Sequence, residues 1–492
     1  MSSRWSEWNR LFLHSARNES DQDVEMIKAR SILWFRRDLR IHDNATLDWA
    51  CENSAAVIPV YIHSPEEEKP WAPGAASRWW LHHSLASLEK KLADKGLTLH
   101  FYSGNSEELI PKIIAESNAD SLVYNRLYEK HIHERDSRIE KKLKDKKLKD
   151  EVEVVSFDSG LLFAPGTVLN NQQLPYRVYT PFYKKIRPLL CVSLSQQYSQ
   201  LSSDGAKTPE SVSLSSGLPL KSLALLDEHD WHEKLTSHWL PGDDRAHELL
   251  DTFIDSAVEH YEVERDLPAV DSTSRLSPYL HFGEIIPQQI YFALWPLLEG
   301  ERGAGAARSA EVFLKQLIWR EFAHNVLWHF PETSTKPMNP RYQKKFWRSS
   351  RSDFDAWSKG ETGIPIIDAG MKQLWETGWM HNRVRMIVSS FLTKNLGINW
   401  LDGANWFWDT LVDADLANNS MGWQWVAGCG VDAAPYYRVF NPDTQTRRFD
   451  NRFSYIDRWS PGHAESDYPH PMVDLASSRD EAIQRFKQYI SS

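Results

Sequence analysis

Cysteine is scarce in this chain of 492 residues, which contains only Cys51, Cys191 and Cys429. Three cysteines so far apart are too few for a disulfide framework or a cysteine-rich zinc site. Histidine and the acidic residues do not recur with the spacing of metal ligands, so we predict no metal site. Such cysteine usage is typical of a reducing compartment, and we expect a cytoplasmic protein.

Several common signatures are also absent. No stretch approaches the roughly 20 apolar residues that cross a bilayer, so we expect no membrane partner. Residues 1–30 are charged throughout and lack the apolar core of a secretory signal, and we expect them to form a mobile extension. The chain has no Gly-x-Gly-x-x-Gly, no phosphate-loop lysine motif and no local hydrolase signature, which argues against the usual nucleotide-binding and hydrolytic sites.

Negative charge prevails overall, but basic residues cluster locally. The net charge of -10 argues against indiscriminate binding to nucleic acid. One basic cluster consists of Arg341, Lys344, Lys345, Arg348 and Arg351. A second consists of Arg438, Arg447, Arg448 and Arg452. Each cluster could attract phosphate, although solvated surface is the simpler interpretation of either one alone.

Short apolar runs alternate with helical patterns in the first third of the chain. The expected strands are residues 32–35, 56–62, 97–102, 121–124 and 152–157. The expected helices between them are residues 76–95, 106–117 and 133–147. Repeated strand–helix units predict an α/β domain over residues 31–160, built on a doubly wound parallel sheet of five strands.

The remaining chain changes character twice. Residues 161–235 are rich in Ser, Leu, Pro and Gln and are interpreted as a long interdomain linker. After about residue 236 the strand signals vanish, which predicts an all-α domain over residues 236–492. Within it we expect Pro365 to open a helix that Gly378 ends, and residues 379–395 to form the next helix.

Tryptophan is unusually abundant, with 22 in the chain and nine between residues 347 and 425. In the same segment Asp413, Asp415, Asn418 and Asn419 lie among Leu, Val, Ala and Trp. Burying two acids and two amides is costly unless they bind something, which predicts a polar ligand. The acids could also act as a general acid and base, but no carbohydrate-type groove is evident.

The segment Thr273-Ser-Arg-Leu-Ser-Pro278 combines three hydroxyls with a guanidinium. Ser277 can cap a helix that begins at Pro278, and free N–H groups at such a terminus attract anions. We interpret the segment as a cradle for a diphosphate, with a simple helix cap as the alternative.

Two helical faces also group polar and aromatic side chains. The first offers an amide, an indole and a guanidinium at i, i+3 and i+4, from Gln316, Trp319 and Arg320. Such a face suits a base flipped out of a duplex, or else a helix–helix seam. The second face carries Asn382, Arg385 and Met386. Its polar groups need partners on the inner side of the helix.

Taken together and in their order along the chain, these four segments resemble the photolyase/cryptochrome family of flavoproteins. Residues 34–44, Trp-Phe-Arg-Arg-Asp-Leu-Arg-Ile-His-Asp-Asn, are similar to the opening of that family. The resemblance covers about residues 31–460 and is strongest to microbial photolyases that repair cyclobutane pyrimidine dimers. It implies an α/β domain, a linker and a helical domain that binds FAD.

The resemblance also implies roles for particular residues. The flavin-contacting positions are matched by Tyr261, Thr273, Ser274, Arg275, Leu276, Ser277, Asn382, Arg385, Asp413, Asp415 and Asn419. The electron-transfer tryptophans are matched by Trp347, Trp400 and Trp423. The dimer and DNA positions are matched by Arg265, Gln316, Trp319, Arg320, Arg383, Met386, Trp425 and Gln445. Asn419 would lie beside flavin N5, where an amide does not repel the negatively charged reduced ring.

The activity implied is light-driven repair. Reduced FAD passes an electron to a dimer flipped out of the duplex, and the ring opens with no net redox change. The implied partner is UV-damaged DNA, and we expect a monomer. Some relatives bind an antenna folate after the fourth strand, where Glu129 could bond a pterin amino group. A folate such as methenyltetrahydrofolate is slightly favoured over a deazaflavin or no antenna.

Three alternatives stay open. Many dimer photolyases have glutamate where this chain has Gln316, and (6-4) photolyases carry glutamine there. The (6-4) enzymes have histidine at Asn382 and Met386, however, so dimer repair is favoured. A sensory cryptochrome shares the scaffold, although the chain ends about thirty residues after the last family-like segment. A flavin-dependent redox enzyme is the weakest alternative because no nicotinamide fingerprint is present.

Overall fold

A computed structural model of the chain describes residues 28–144, 152–190, 209–226, 230–342, 344–433 and 437–489. The predicted parallel sheet is present, with strands β1 (Lys28–Phe35), β2 (Ser54–His63), β3 (His100–Ser103), β4 (Ser121–Asn125) and β5 (Glu153–Phe157). Their order is β3-β2-β1-β4-β5, and each neighbouring pair is parallel. The direction of winding reverses between β1 and β4, which opens a crevice at the carboxyl ends of the strands.

Both faces of this sheet are buried. Leu33 and Phe35 of β1 pack on one face, and Ile32 and Trp34 pack on the other. Strands covered on both sides are continuous apolar runs, which is why the sequence predicts them well. The covering helices are α1 (Ala45–Asn53), α2 (Ala75–Asp94), α3 (Ser106–Ser117) and α4 (Lys130–Leu143).

Several predicted boundaries differ from the structure. Residues 28–30, predicted to lie in the mobile extension, belong to β1; residues 1–27 lie outside the described residues. Helix α1 was not predicted, although Asn44 caps it by accepting the N–H of Thr46 at 3.2 Å. Helix α4 begins three residues earlier than predicted, and residues 145–147 lie outside the described part of the chain.

The predicted linker also contains regular structure. Helix α5 (Tyr179–Ile186) lies within it, and the two-residue strand β6 (Glu210–Ser211) pairs with β2. Its eight residues give α5 little more than two turns of periodic signal, and a proline lies in its first turn. Part of the predicted linker therefore forms regular secondary structure, and its strand belongs to the sheet.

Helices account for the regular structure of the described residues after 236, apart from one isolated bridge between Arg348 and Ile398. The α-helices among them are α6 (Asp243–Thr252), α7 (Tyr261–Glu264), α8 (Ser277–Phe282), α9 (Pro287–Leu298), α10 (Gly303–His329), α11 (Arg351–Lys359), α12 (Pro365–Thr377), α13 (Asn382–Ser390), α14 (Trp400–Thr410), α15 (Leu416–Ala427), α16 (Pro442–Phe449), α17 (Ser454–Trp459) and α18 (Leu475–Tyr489). None of the described helices has the length and apolar character needed to cross a bilayer.

Helix α12 confirms the prediction that Pro365 opens a helix and Gly378 ends it, with φ of 65° at the glycine. The prediction for residues 379–395 is wrong at its start, because α13 begins only at Asn382. The His381 ring accepts the N–H of Arg383 at 3.2 Å and so caps the helix. After Ser390 the helix continues as one wider turn, Phe391–Asn395.

One apolar core joins the sheet to the helices. It includes Phe35 of β1, Trp80 of α2 and Phe322 of α10. The Trp80 ring is also nearly parallel to the ring of Phe282 in α8, with centroids 6.1 Å apart. This shared core fixes α8 and α10 against the sheet, and the candidate site is built on these helices and their neighbours.

Candidate functional site

Asp413 lies just before α15 and binds groups from two other segments. One nitrogen of Arg385, on α13, donates to both oxygens of the Asp413 carboxylate, at 2.8 and 3.1 Å. The Ser277 hydroxyl, on α8, donates to the same carboxylate at 2.6 Å. The Asp413 side chain is only 3% exposed, so a paired cation offsets much of the cost of burying it. Three of the residues predicted to contact flavin therefore meet in space.

The prediction that Ser277 caps a helix is wrong. Ser277 is the first residue of α8, Leu276 occupies the cap position, and no side chain caps the helix. The Ser277 hydroxyl donates to Asp413 because a buried carboxylate is a strong acceptor, and the Trp379 indole donates to Ser277 at 3.4 Å. Ser277 nevertheless keeps an exposed surface beside this buried carboxylate.

The rest of the predicted cradle lies next to this junction. Arg275 has a left-handed backbone, with φ of 52°, and its guanidinium lies 5.4 Å from the ring centroid of Trp379. Thr273 and Ser274 are half-buried. Hydroxyl and guanidinium donors are thus presented together, as a diphosphate requires.

Asp415 has a separate set of partners. Its Oδ1 caps α15 by accepting the backbone N–H of Asn418 at 2.8 Å. Its Oδ2 faces His324 Nε2 at 3.4 Å and His281 Nδ1 at 3.7 Å. Burial acts to raise the pKa of Asp415, but His324 above all, together with His281, holds that pKa well below its usual range. Neither histidine belongs to a sequence motif, so neither was predicted as a site residue.

Each of the polar residues whose burial predicted a ligand therefore has at least one protein partner. Even Asn419 donates from its amide nitrogen to the carbonyl of Ala404 at 3.0 Å. The stronger argument for a ligand is exposure, since Ser277 and Asn382 remain exposed, and Arg385 and Asn419 partly exposed, around buried acids. Hydroxyls and guanidinium groups suit phosphates, and amides suit a ring with both donors and acceptors, so this donor set fits FAD.

A second group lies where α7 meets α10. Arg265 donates to the Gln316 amide oxygen at 3.2 Å, and the Gln316 nitrogen donates to the Val312 carbonyl at 3.0 Å. The Arg265 guanidinium also lies 5.5 Å from the ring centroid of Tyr261, which is buried. Tyr261, a predicted flavin contact, therefore lies beside Arg265, which in turn binds Gln316; Arg265 and Gln316 were predicted to contact DNA and dimer.

The predicted face of α10 is split between different partners. Arg320 donates to the carbonyl of Gly160 at 3.0 Å and is turned toward the boundary with the α/β half. Trp319 stacks on Tyr179 of α5, with ring centroids 3.7 Å apart and planes 5° apart. Gln316 and Trp319 therefore contact α7 and α5, whereas Arg320 helps to hold the two halves together.

The other predicted DNA contacts form a third group. Arg383 pairs with Asp266 at 2.9 Å, and its guanidinium lies 4.4 Å from the ring centroid of Phe449 on α16. Gln445 precedes Phe449 by one helical turn. Arg383 and Gln445 are therefore brought to one surface by α13 and α16.

The first basic cluster is partly neutralised by neighbouring acids. Arg348 pairs with Glu481 at 3.4 Å, and Arg351 pairs with Asp355 at 2.9 Å. These pairs reduce the field that the cluster presents to phosphate.

The predicted electron-transfer tryptophans differ in burial. Trp423 and Trp400 are buried, whereas Trp347 is half-buried. The nearest rings to Trp423 include Phe407 at 5.0 Å and Trp357 at 6.1 Å between centroids. Trp357 is fully buried and was not singled out from the sequence. Met386 and Trp425, predicted to contact the dimer, are half-buried on α13 and α15, which pack together.

A cleft lies at the carboxyl ends of β1, β2 and β4. Its walls include Trp34, Arg37 and Tyr61 from the α/β half, and His281 and Trp408 from the helical half. Such crevices are the usual ligand sites of doubly wound sheets.

Glu129 is buried next to this cleft and forms an ion pair with Arg37. Burial acts to raise the pKa of Glu129, but Arg37 lowers that pKa to about 2. Glu129 therefore binds a cleft residue, and its bond to a pterin stays a prediction.

Among the described residues, His42, Asp243 and Asp244 have ligand atoms within 4.8 Å of one another, a spacing that could hold a metal. The Lys91 ammonium already pairs with both carboxylates, at 2.6 Å from Asp244. A cation of the protein itself therefore offsets part of their negative charge.

Comparison with known proteins gives matches over nearly the whole chain. Residues 31–197 match a family model described as DNA photolyase, and residues 313–465 match one described as the FAD binding domain of DNA photolyase. The chain is 40% identical to a deoxyribodipyrimidine photo-lyase of Agrobacterium fabrum, over 92% of this chain and 97% of the relative. It is 34% identical to cryptochrome-2 of Arabidopsis thaliana, over 93% and 79%.

Solved photolyase structures are also similar to this chain. A class III photolyase from Agrobacterium tumefaciens superposes with a TM-score of 0.83 at 37% identity, covering 97% of this chain and all of that one. An archaeal photolyase from Sulfolobus tokodaii, solved with two FAD molecules, superposes with a TM-score of 0.75 at 28% identity, covering 93% of this chain and all of that one.

Proposed function

Because the chain belongs to the photolyase/cryptochrome family, we propose that it repairs cyclobutane pyrimidine dimers in DNA with blue or near-ultraviolet light. The observation that carries this proposal is the meeting of Ser277 and Arg385 on the buried carboxylate of Asp413. The Arg265–Gln316 pair joins the end of α7 to α10, and α10 packs against α15. A flavin site and a base pocket would thus share neighbouring helices.

FAD, when bound, supplies the light-driven electron transfer that opens the dimer. The chain's residues hold and orient the reactants. Ser277, Arg275 and Thr273 would bind the diphosphate, and Arg385, fixed by Asp413, would bind a ring oxygen or nitrogen. Asn419 would offer an uncharged amide to the ring, so that a negative charge there meets no carboxylate. Trp423 would be the indole nearest the flavin in the path toward Trp347.

Recognition of damage follows from the cost of unstacking. A base that is already distorted by a dimer leaves the duplex more easily than an intact one, which gives selectivity without reading sequence. Trp319 and Trp425 would stack on the flipped dimer, and Gln316 would donate an amide hydrogen to a base carbonyl. Arg383 and Gln445 would contact the flanking backbone, where the charge of Arg383 makes binding salt-dependent.

We further propose that a second, light-harvesting chromophore binds in the cleft between the sheet and the helices. Its rings Trp34, Tyr61 and Trp408 suit a flat heteroaromatic molecule, and Arg37 suits a carbonyl or an acidic group. Glu129 would act by orienting Arg37. A folate remains the first expectation and a deazaflavin the second. Adding each to the purified protein and measuring energy transfer to the flavin, with Trp408→Ala as the control, tests this assignment.

The same family resemblance supports a monomer that works on damaged DNA in the cytoplasm. Light scattering of the purified protein, with and without a damaged duplex, tests the oligomeric state.

The primary test is a repair assay. The photoreduced protein is mixed with an oligonucleotide that carries one thymine dimer, illuminated with blue light, and assayed for intact thymines. An undamaged oligonucleotide and a dark sample are the controls. We expect restoration only in the light. Dimer-selective binding without restoration would point to Gln316 as an impairment of the photochemistry. A photoreducible flavin with neither binding nor restoration would contradict repair and favour a photoreceptor.

A further inference from the structure

Helix α5 of the predicted linker is matched residue by residue to α10. The contacting residues are Tyr179 and Tyr183 of α5 and Arg187 directly after it, spaced by four. Their partners on α10 are Trp319, Lys315 and Glu311, spaced by four in the opposite direction. Tyr179 stacks on Trp319, the Lys315 ammonium lies 5.4 Å from the Tyr183 ring centroid, and Arg187 pairs with Glu311 at 3.0 Å. Residues four apart share a helical face, so the two helices are docked antiparallel in a defined register.

Tyr179 is held at several points as well as by its ring. Its hydroxyl donates to the Lys315 carbonyl at 2.9 Å, one turn before Trp319. Its backbone N–H donates to the Asp432 carboxylate at 3.2 Å, and the Asp432 N–H donates to the Arg177 carbonyl at 3.1 Å. Asp432 follows α15, the helix that carries Trp425, so these bonds tie α5 to both helices of the proposed dimer pocket.

The stack leaves Trp319 little freedom. Tyr179 covers one face of the indole at 3.7 Å, and Phe322 meets it edge-on at 5.8 Å. Trp319 itself stays half-buried, whereas Tyr179 is buried. An indole fixed in this way loses less conformational freedom when a base stacks on its other face, which strengthens binding.

We propose that Tyr179 is a positioning residue, which presents Trp319 to the flipped-out dimer from the linker; this role rests on the proposed function. It makes the linker helix part of the substrate pocket. The effect reaches the substrate only through Trp319, and this distinguishes it from simple packing of α5.

A double-mutant cycle tests this dependence. The variants are Tyr179→Leu, Trp319→Ala and the two combined. Tyr183→Leu, on the same helix one turn later, controls for loosened docking of α5. Dark affinity is measured for a duplex with one thymine dimer and for the same duplex undamaged, with flavin content and thermal unfolding as checks on folding.

We expect Tyr179→Leu to lower dimer affinity by about fivefold, a part of what base–aromatic stacking contributes, and to leave affinity for undamaged DNA unchanged. Tyr179→Phe should retain wild-type affinity because it keeps the stacked ring. In the Trp319→Ala background, Tyr179→Leu should have no further effect.

Should Tyr179→Leu unfold, Asp432→Ala provides a milder test, with an expected loss of about twofold that also disappears in the Trp319→Ala background. The positioning role would be overturned if the losses of dimer affinity from Tyr179→Leu and Trp319→Ala add in the double variant. It would also be overturned if Tyr183→Leu lowers dimer affinity as much as Tyr179→Leu does. A wild-type protein that binds damaged and undamaged DNA equally would overturn the proposed function, and the positioning role with it.

Discussion

A single nitrogen of Arg385 donates to both oxygens of Asp413, and this bond ties α13 to the segment before α15. The carboxylate is nearly fully buried, whereas the arginine keeps about a quarter of its side chain exposed. The pair therefore stabilises the carboxylate and still presents a cation at the candidate flavin site.

Asp413→Asn should weaken both folding and FAD binding. The amide keeps the shape but leaves Arg385 without its counter-charge, and a hydrogen bond to a charged group contributes about 1.5–3 kcal/mol. FAD per protein and the free energy of unfolding in urea should both fall. Asp355→Asn removes the acid of the exposed Arg351–Asp355 pair on α11 and should change neither. Equal behaviour of the two variants would show that the Arg385–Asp413 bond has no special role.

Gly403→Ala should destabilise the protein, contrary to the usual effect of alanine in a helix. A Cβ at this position would lie 2.1 Å from the ring of Trp423 and 2.7 Å from Leu392. Such overpacking costs about 1–3 kcal/mol and would displace the indole. Photoreduction of the flavin should slow if Trp423 is the nearest electron donor.

Gly305→Ala is the matched control. Gly305 lies on α10, and a Cβ added there would meet nothing within 4 Å beyond its chain neighbours and the backbone of its own helix, so alanine should raise stability by up to about 1 kcal/mol. We expect urea unfolding to show a lower free energy of unfolding for Gly403→Ala and a higher one for Gly305→Ala. A stabilising Gly403→Ala would contradict the close contact with Trp423.

Glu284 should make stability fall as pH rises. Burial raises the pKa of its carboxyl from 4.5 to about 8, despite hydrogen bonds from Ser84 and Trp80. The folded state therefore holds a proton that the unfolded state releases near pH 4.5. The stability from this protonated group is complete below that pH and is lost as pH rises through about 8.

Urea unfolding of the wild type and of Glu284→Gln between pH 5.5 and 8.5 checks this dependence. The difference in stability should shift in favour of the glutamine variant as pH rises. A constant difference across this range would mean that Glu284 does not titrate in it.

Gln316→Leu should weaken discrimination of the dimer. The amide nitrogen carries two hydrogens, one of which goes to Val312, so the other can reach a base carbonyl. Its loss should lower affinity for a dimer by about fivefold, the equivalent of one net hydrogen bond, and leave affinity for undamaged DNA unchanged. An equal loss of affinity for the damaged and the undamaged duplex would instead indicate that the substitution disturbs Arg265, the other partner of Gln316.

Much of the fold follows from local sequence patterns. Strands β1 and β2 contain continuous apolar runs because both of their faces are covered, and Gly378 ends α12 because its left-handed backbone favours glycine. Helix α5 was not predicted, because its eight residues, with a proline in the first turn, show little helical periodicity.

For the candidate site, too, some features follow from the sequence and others only from the tertiary structure. The sequence by itself determined which residue types and spacings are present, and the family resemblance that follows from them. Only the tertiary structure decided their partners: Ser277 binds Asp413 instead of capping α8, Arg320 turns to Gly160, and Tyr179 stacks on Trp319. The reason is physical. Helical periodicity fixes the face on which a side chain lies, but its hydrogen-bond partner comes from a segment more than a hundred residues away that only packing brings near.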